Sequence, residues 1–315
     1  MAKAAKPWLW ITDPWKTLDH RNDTTIRLMQ ESLKLKIPTY WTDSQSIFWS
    51  DHSAWTHAQE VNAIPQNDKN QPIRLGGKKI QDLSDFAKIF YRTDPPVDHH
   101  YVHPLQLVEL GRGKAELVNP ASVLTLTNEK ITGSFFEEFS PPTWVGCHSD
   151  GLMGFIENEE KVVLKPLHTA QSQGVTLIDS QKQNLEKNFQ LLKTETQDFT
   201  RPVLLQKYLP GIESGETRVW FVDGKPIAQV LKYPLPGDFR VQIDKGSKIE
   251  ATELSAKQKS AVKKVGQHLK KIGARMAAVD WIGSMISDFN VTSPGLLVQM
   301  EAVAGENLAK KILVF

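Results

Sequence analysis

The chain of 315 residues contains a single cysteine, Cys147. An intrachain disulfide needs two cysteines, so none can form, and a reducing compartment is the natural setting. No stretch approaches the roughly 20 consecutive apolar residues that a helix needs to cross a bilayer. The N-terminal segment MAKAAKPWLWITDPW also lacks the long apolar core and cleavage site of a secretory signal. We therefore expect a soluble, cytoplasmic protein that does not bind a membrane.

The chain also lacks a large excess of charge of either sign. It has 38 basic and 36 acidic residues, which gives a formal net charge of +2. Such a balance gives no reason to expect a polyanionic partner such as nucleic acid. With 40% apolar residues and no repeats or low-complexity tracts, the chain is long enough for two or three packed units.

The order of elements in the first third of the chain predicts an α/β layer. The segment KPWLWITDP is typical of a buried strand, and apolar residues at helical spacing follow from about Asp23 to Lys36. Further short strands are predicted from Asp85 to Tyr91 and from Ala115 to Val118, each followed by a proline-containing turn. We therefore place an N-terminal α/β domain at residues 1–122.

The rest of the sequence predicts antiparallel hairpins. The clearest has arms TRVWFV and KPIAQVLKY around Asp223-Gly224, a dipeptide suited to the positive φ angles of a type I′ turn. A helix that Ser255 can cap and Gly273 can end comes next. Other strands are expected at residues 161–167, 176–178 and 203–209. We divide this part into a small lobe, 123–200, and a C-terminal lobe, 201–315.

The segment AAVDWIGSMISDFNVTSP, residues 277–294, predicts two strands joined by a tight turn near Gly283. Asp288 and Asn290 are two residues apart, so their side chains leave the same face, and Asp280 can lie across from them. Two carboxylates and an amide oxygen are ligands that suit Mg²⁺ when it also binds nucleotide phosphates. A polar sheet edge or a set of turn caps would use the same residues, and that alternative stays open.

Two lysines could bind phosphate oxygens near such a metal site. Lys165 interrupts the apolar strand VVLKPL and is expected to point into a cleft or to extend to solvent. Lys130, in TNEK at the start of an expected helix, could supply a second ammonium group. The backbone from Gln206 to Leu209 could hydrogen-bond an adenine edge. His99, His100 and His103 follow a double proline in an expected loop, and we do not expect them to bind zinc.

Several segments together carry a resemblance to a known family. They are DPWKTLDHRNDTT at 13–25, YRTDPPVD at 91–98, VNPAS at 118–122, NEK at 128–130, LKPL at 164–167, QKYLPGIESGETRVWFVDGKP at 206–226, and VDWIG with DFNVTSP at 279–294. In both order and spacing they resemble bacterial (prokaryotic-type) glutathione synthetase, a family of the ATP-grasp superfamily. The resemblance implies a Rossmann-like N-terminal (pre-ATP-grasp) domain followed by a two-lobed ATP-grasp domain, a combination of α/β and α+β folds.

The resemblance also implies which residues contact ATP. Lys130 and Lys165 would contact phosphates, and Glu216 stands where the family has an acidic residue near the ribose. The metal ion, Mg²⁺ with Mn²⁺ as an alternative, would be held by Asp280, Asp288 and Asn290. The adenine would lie against a hinge formed by Gln206, Lys207, Tyr208 and Leu209.

The implied reaction joins γ-glutamylcysteine to glycine through an acyl phosphate, with release of ADP and phosphate. Arg218 and Arg240, together with Lys232 where the family has arginine, would face the acceptor carboxylate and its phosphorylated form. Residues 291–295 would border the peptide site. Family members are commonly oligomeric, so the analogy also implies a homo-oligomer.

Three segments depart from the family's pattern. The glycine-rich phosphate loop becomes KPLHTAQSQGV, where Gly174 is the one glycine left, and Thr169, Gln171 and Ser172 are candidate replacement donors. Asp288 replaces a glutamate, and the lid sequence becomes PGDFRVQ at 236–242. Two alternatives to glutathione synthesis therefore stay open: a related ligase with another peptide or amine, and a non-catalytic protein on the ATP-grasp scaffold.

Overall fold

The computed structural model describes residues 6–64, 73–169 and 173–314. Within these ranges the strands form three separate sheets, one from each third of the chain. In the same ranges, no helix has both the length and the apolar character needed to cross a membrane. The candidate loop residues Gln171 and Ser172 lie outside the described residues.

The N-terminal part is a sheet of seven strands with helices packed on it. Strands β2, β1, β6 and β7 lie side by side and parallel, and the antiparallel strands β3, β4 and β5 extend the sheet on the β2 side. The elements are β1 (Trp8–Thr12), α1 (Thr24–Lys34), β2 (Thr39–Asp43), β3 (Ile47–Ser50), β4 (Ser53–Ala63), β5 (Ile73–Asp82), β6 (Lys88–Tyr91), α2 (His99–Gly111), β7 (Glu116–Val118) and α3 (Ala121–Leu126).

Local capping explains where the two long helices of this part begin. Asp23 accepts a hydrogen bond from Ile26 N at 2.9 Å, which starts α1 where the sequence predicts it. The expectation that His99, His100 and His103 lie in a loop is wrong, because they form the first turns of α2. Asp98 caps that helix by accepting from the backbone N–H of His100 at 2.9 Å.

The small lobe is a four-stranded antiparallel sheet covered by two helices. Its strand order is β10-β9-β11-β8, so β9 and β11 are central. The elements are β8 (Thr143–Gly146), α4 (Ser149–Asn158), β9 (Lys161–Pro166), β10 (Thr176–Asp179), α5 (Leu185–Glu195) and β11 (Val203–Lys207). Its apolar core is separate from those of the rest of the molecule.

The C-terminal lobe is a five-stranded antiparallel sheet in the order β14-β13-β12-β15-β16. The predicted hairpin turn is present, with φ angles of 49° at Asp223 and 72° at Gly224. Ser255 and Gln258 form the capping box of α6, and Gly273 ends it. The elements are β12 (Glu216–Val222), β13 (Lys225–Lys232), β14 (Ile249–Ala251), α6 (Ala256–Ile272), β15 (Met276–Ile282), β16 (Met285–Asn290), α7 (Leu297–Ala304) and α8 (Leu308–Leu313).

The N-terminal part and the C-terminal lobe share one apolar core. Trp10 of β1 and Met29 of α1 belong to the same cluster as Trp220 of β12 and Met300 of α7. An ion pair reinforces this contact, since Arg27 Nε lies 2.6 Å from Glu301 Oε2. The small lobe is therefore the part with the most freedom to move.

The domain boundaries that we placed at residues 122 and 200 stay predictions.

Asn119 joins the N-terminal part to the C-terminal lobe through its side chain. It is buried, with 3% of its surface exposed. Its Nδ2 donates to the carbonyl oxygens of Met276 and Val291 at 2.7 and 2.8 Å, and its Oδ1 accepts from the backbone N–H groups of Arg275 and Met276 at 2.7 and 2.8 Å. The amide thus fixes the start of β15 beside the end of β16.

We expect Asn119→Ala to lower the free energy of unfolding by about 3 kcal/mol, because it leaves several buried backbone groups without partners. Chemical denaturation of the purified variant measures this loss. Asn62→Ala is the control, because its side chain makes one exposed hydrogen bond, and that change should stay within about 0.5 kcal/mol. Equal stability of the two variants would contradict the structural role of Asn119.

Candidate functional site

A cleft of about 640 Å³ lies where the three sheets meet. Its wall on the small-lobe side comes from β9 and β11, its floor from β12, β13, β15 and β16, and one end from the N-terminal part. The structure brings all thirteen candidate residues to this cleft: Lys130, Lys165, Gln206, Lys207, Tyr208, Leu209, Glu216, Arg218, Lys232, Arg240, Asp280, Asp288 and Asn290.

The floor of the cleft contains a buried network of alternating charges. Arg218 donates to Asp280 through two parallel hydrogen bonds, Nε to Oδ1 at 2.8 Å and Nη2 to Oδ2 at 2.7 Å. Lys232 Nζ lies 3.1 Å from Asp280 Oδ1 and 2.8 Å from Glu216 Oε2. Ser287 Oγ completes the network by donating to Glu216 Oε1 at 2.5 Å. Two cations and two carboxylates thus compensate each other on the floor of the cleft.

This network determines the charge state of Asp280. Burial by itself would raise the pKa of this carboxyl group, but the charges of Arg218 and Lys232 hold it well below its usual value. The same contacts raise the pKa of Arg218 against the effect of its burial. Asp280 therefore stays ionised, and its negative charge is directed at the two cations.

Asp288 is in a different situation, although it lies directly opposite Asp280 in the β15–β16 pairing. Its Oδ1 is buried and finds no hydrogen-bond donor within the described parts of the chain. Asn290, on the same face of β16, donates its Nδ2 to Ala278 O at 3.2 Å, which directs the amide nitrogen into the sheet. A carboxylate oxygen without a donor and an amide oxygen fit a hard cation such as Mg²⁺.

Asp280 is less suited than Asp288 to bind a metal ion, because Arg218 and Lys232 already donate to its carboxylate. Among the residues that the structure describes, no three acidic, histidine or cysteine side chains lie close enough to hold a metal ion by themselves. A divalent ion at Asp288 and Asn290 would therefore complete its coordination with oxygens from outside the protein, which phosphate groups and water can supply.

Lys165 projects from the small lobe across the cleft. Its Nζ donates to Gln206 Oε1 at 2.9 Å and to the carbonyl oxygen of Ser287 at 2.7 Å, which connects the small lobe to β16. Burial lowers the pKa of this ammonium group, partly offset by the charge of Asp288, and the nearby Lys130 lowers it further. A phosphate bound between the two lysines would relieve their repulsion.

Lys130 lies in a turn, whereas the sequence suggests the start of a helix. The helix α3 ends four residues earlier, at Leu126. Asn128 Oδ1 accepts from the backbone N–H groups of Lys130 and Ile131 at 3.0 and 3.1 Å. These contacts are those of a helix N-cap, and Thr132 N also donates to Asn128 O at 3.0 Å. The turn leads into a short 3₁₀ helix, Thr132–Phe135, instead of a longer α-helix.

The hinge consists of the last two residues of β11, Gln206 and Lys207, and the two residues that follow, Tyr208 and Leu209. The backbone N–H of Lys207 donates to Pro142 O and that of Tyr208 donates to Lys161 O, both at 2.9 Å. These two donors are therefore occupied within the protein. Tyr208 also contacts Phe239 of the lid, with ring centroids 6.3 Å apart and planes at 77°. The hinge and the lid thus meet at an aromatic contact.

Arg240 in the lid pairs with Asp238, and its Nη2 lies 2.8 Å from Asp238 Oδ2. Hydrogen bonds from Arg240 lower the pKa of Asp238 to about 2. Gln242 Nε2 also donates to Asp238 Oδ2, at 3.2 Å. Arg240 lines the cleft, but an anionic ligand would have to compete with Asp238 for its guanidinium group.

The described ends of the phosphate loop are joined by a hydrogen bond from Thr169 Oγ1 to Gln173 O at 2.7 Å. This hydroxyl hydrogen is therefore used within the loop rather than offered to a phosphate. Gly174 has φ 71°, and a Cβ there would lie 2.8 Å from Pro166 Cγ. Both the backbone angle and the close contact require glycine at this position.

Two residues of the cleft were quoted in motifs but received no role from the sequence. Arg92, in YRTDPPVD, is buried and donates from Nε to Thr25 Oγ1 at 2.9 Å and from Nη2 to Pro294 O at 2.8 Å. It thus holds the loop after β16 against the N-terminal part. Glu129, in NEK, contacts the same loop from the other side. The sequence signal that could have identified both residues was their position inside motifs that resemble the family without gaps.

Two family models match the chain. The N-terminal domain of prokaryotic glutathione synthetase matches residues 8–124, and its ATP-grasp domain matches residues 129–305. Among the relatives is the glutathione synthetase of Parasynechococcus marenigrum (strain WH8102), which is 31% identical over 306 residues and is aligned over 97% of each chain.

Solved structures support the same fold. The crystal structure of D-cycloserine synthetase DcsG superimposes with a TM-score of 0.66 at 15% identity, over 97% of this chain and 99% of that one. The ATP-grasp ligase PsnB, solved with a variant of its minimal precursor, Mg and ADP, gives a TM-score of 0.58 at 14% identity, over 98% of each chain. The predicted fold class, an N-terminal α/β domain followed by an ATP-grasp domain, is confirmed.

We expect Asp280→Asn to lower the free energy of unfolding by about 3 kcal/mol, because it leaves Arg218 and Lys232 buried with too little negative charge. Denaturant unfolding of the variant measures the change. Asp223→Asn is a matched control, since Asp223 forms its ion pair with Arg275 at the surface, and it should cost less than about 1 kcal/mol. A stable Asp280→Asn protein would show that the network does not need this charge.

Proposed function

The chain belongs to the prokaryotic glutathione synthetase family, and on this premise we propose that it joins γ-glutamylcysteine to glycine. That it is an ATP-dependent ligase which forms a C–N bond and resembles glutathione synthetase follows from the family. It uses ATP with a divalent metal ion and acts on small-molecule or peptide substrates. The substrate pair, the identity of the metal as Mg²⁺ and the residue roles are the proposal.

The observation that carries the proposal is the convergence of all thirteen candidate residues on one cleft. Lys165 reaches into the cleft from the small lobe, Lys130 lies on a turn fixed to the end of β16, and Asp288 and Asn290 lie on the floor. Nucleotide phosphates between these groups would meet ammonium groups on one side and a metal ion on the other. Gln206 to Leu209 would border the adenine, with the N–H of Leu209 as the donor we propose, and Glu216 would lie towards the ribose.

Asp288 and Asn290 would hold Mg²⁺, and Asp280 would contribute where Arg218 and Lys232 leave its oxygens accessible. The ion supplies neutralisation of the charge that develops on the transferred phosphoryl group. Asp288 is about 1.5 Å shorter than the family's glutamate, and Mg²⁺ tolerates little error in ligand distance. We therefore propose a single metal ion at this position.

In the proposed reaction, Arg218, Lys232 and Arg240 orient the acceptor carboxylate. One carboxylate oxygen attacks the γ-phosphorus of ATP, the bond to ADP breaks, and an acyl phosphate forms. The amine nitrogen of glycine then attacks the acyl carbon, loses a proton and expels phosphate. The side chains bind and neutralise charge, and closure of the lid excludes water that would hydrolyse the acyl phosphate.

A related ligase with another substrate pair is the second candidate, and Lys232 favours it. The family has arginine here, whose five donors suit a planar carboxylate, whereas Lys232 is nearly fully buried between Glu216 and Asp280. The acceptor site therefore has one guanidinium group fewer than the family pattern.

We also propose a cytoplasmic location and, by analogy with the family, a homo-oligomer.

The test is release of ADP by the purified protein with ATP and Mg²⁺, across γ-glutamylcysteine, other acidic dipeptides and several amines. We expect turnover with γ-glutamylcysteine plus glycine and at least a 100-fold loss in Lys165→Met, which removes a phosphate contact. Lys182→Met changes an exposed lysine in the turn after β10, and this variant should retain full activity. Turnover with a different pair would favour the second candidate, and no turnover with any pair would contradict the proposed activity.

We expect Asp288→Asn to lose the metal response without losing stability. Its carboxylate has a buried oxygen with no donor in the described structure, so removing the charge should leave metal-free unfolding unchanged within about 1 kcal/mol. Binding of ADP in the presence of Mg²⁺, measured by calorimetry, should weaken at least tenfold. Wild-type binding of Mg·ADP by this variant would remove Asp288 from the metal site.

A further inference from the structure

Glu129 binds the end of β16 on both sides of Asn290. Its backbone carbonyl accepts from Phe289 N at 2.9 Å. Its side-chain Oε1 accepts three hydrogen bonds: from Val291 N at 3.0 Å, from Thr292 N at 3.1 Å and from Thr292 Oγ1 at 2.7 Å. One residue therefore satisfies the donors of the strand end before and after the candidate metal ligand.

These donors need an acceptor from outside the sheet. The pairing of β15 with β16 ends at the Ala278–Asn290 pair, so the ladder does not continue to Val291 and Thr292. Buried backbone N–H groups without a partner are costly, and a strand end without partners frays. Because Mg²⁺ demands closely defined ligand positions, fraying here would misplace the oxygens of Asp288 and Asn290.

The same short segment connects this strand end to the phosphate side of the cleft. Asn128, next to Glu129, accepts from the backbone N–H of Lys130 at 3.0 Å and donates from Nδ2 to Leu167 O at 3.3 Å, just before the phosphate loop. Lys130 is thus carried on a turn that is fixed to β16 through Glu129 and to the end of β9 through Asn128.

We infer that Glu129 is a positioning residue, which holds the metal-binding end of β16 in register with Lys130 through the position of its acceptor oxygen rather than through its charge. The inference rests on the proposed function, since it assumes that Mg²⁺ and nucleotide phosphates bind in this cleft. Three donors converge on Oε1, so this oxygen has no capacity left for a metal ion.

Two variants separate acceptor position from charge. Glu129→Gln keeps the length and the acceptor oxygen but loses the charge, whereas Glu129→Asp keeps the charge but is one methylene too short to reach the same donors. The measurements are the dissociation constant of Mg·ADP by calorimetry and the Mg²⁺ concentration that gives half-maximal ADP release. A role in stability alone would shift the melting temperature and leave both quantities unchanged.

We expect Glu129→Gln to stay within threefold of the wild type in both quantities, and Glu129→Asp to be at least tenfold weaker. The same two substitutions at Glu138, an exposed residue paired with Lys264, are the controls and should change neither quantity by more than twofold. A weak Gln variant or a wild-type-like Asp variant overturns the inference. A wild-type protein that binds no Mg·ADP would instead overturn the proposed function, and the inference with it.

Discussion

Two carboxylates that face each other across β15 and β16 impose the main constraint on this site. Asp280 and Asp288 are directly paired in register, and like charges in that position repel unless cations compensate them. The protein supplies two cations for Asp280, through Arg218 and Lys232, but leaves an oxygen of Asp288 without a donor in the described structure. The fold therefore neutralises Asp280, whereas Asp288 is suited to bind a metal cation.

That arrangement requires a floor that does not move. The five-stranded sheet that bears both carboxylates shares its apolar core with the N-terminal part, and Asn119, Arg92 and the Arg27–Glu301 ion pair connect the two. The small lobe has its own core and reaches the floor through polar contacts such as Lys165 to Ser287. Closure on a nucleotide is therefore most simply a movement of the small lobe and lid over a fixed base.

The sequence predicted the features that local chemistry determines. Apolar residues at helical spacing predicted α1, and the capping residues Ser255 and Gly273 predicted the ends of α6. Asp223-Gly224 predicted the type I′ hairpin, and alternation placed Asp288 and Asn290 on one face. The resemblance brought the candidate residues together, and the structure places all of them at one cleft.

Features that depend on contacts distant in sequence were not predicted. The strands β2 to β5 were missed, because an edge hairpin such as β4–β5 carries a mixed polar pattern and is held by its neighbours. The helical start at His99 was missed because the cap at Asp98 was not recognised. The pairing of Asp280 with Arg218 and Lys232 depends on the register of three strands, which no local spacing reveals.

Two of the departures from the family pattern fall in connections, the phosphate loop and the lid, and each of these loops satisfies some of its own polar groups. Thr169 bonds to Gln173 within the phosphate loop, and Arg240 bonds to Asp238 within the lid. A ligand must replace these internal contacts with contacts of its own. Closure is therefore favoured only by a ligand whose hydrogen bonds and charges are better partners for the loops than their own groups. Changes in these loops can therefore alter which substrate drives closure while the paired carboxylates and their cations stay the same. Two departures lie on the floor itself. The shorter side chain of Asp288 affects the metal ion, whereas Lys232, where the family has arginine, affects the acceptor site.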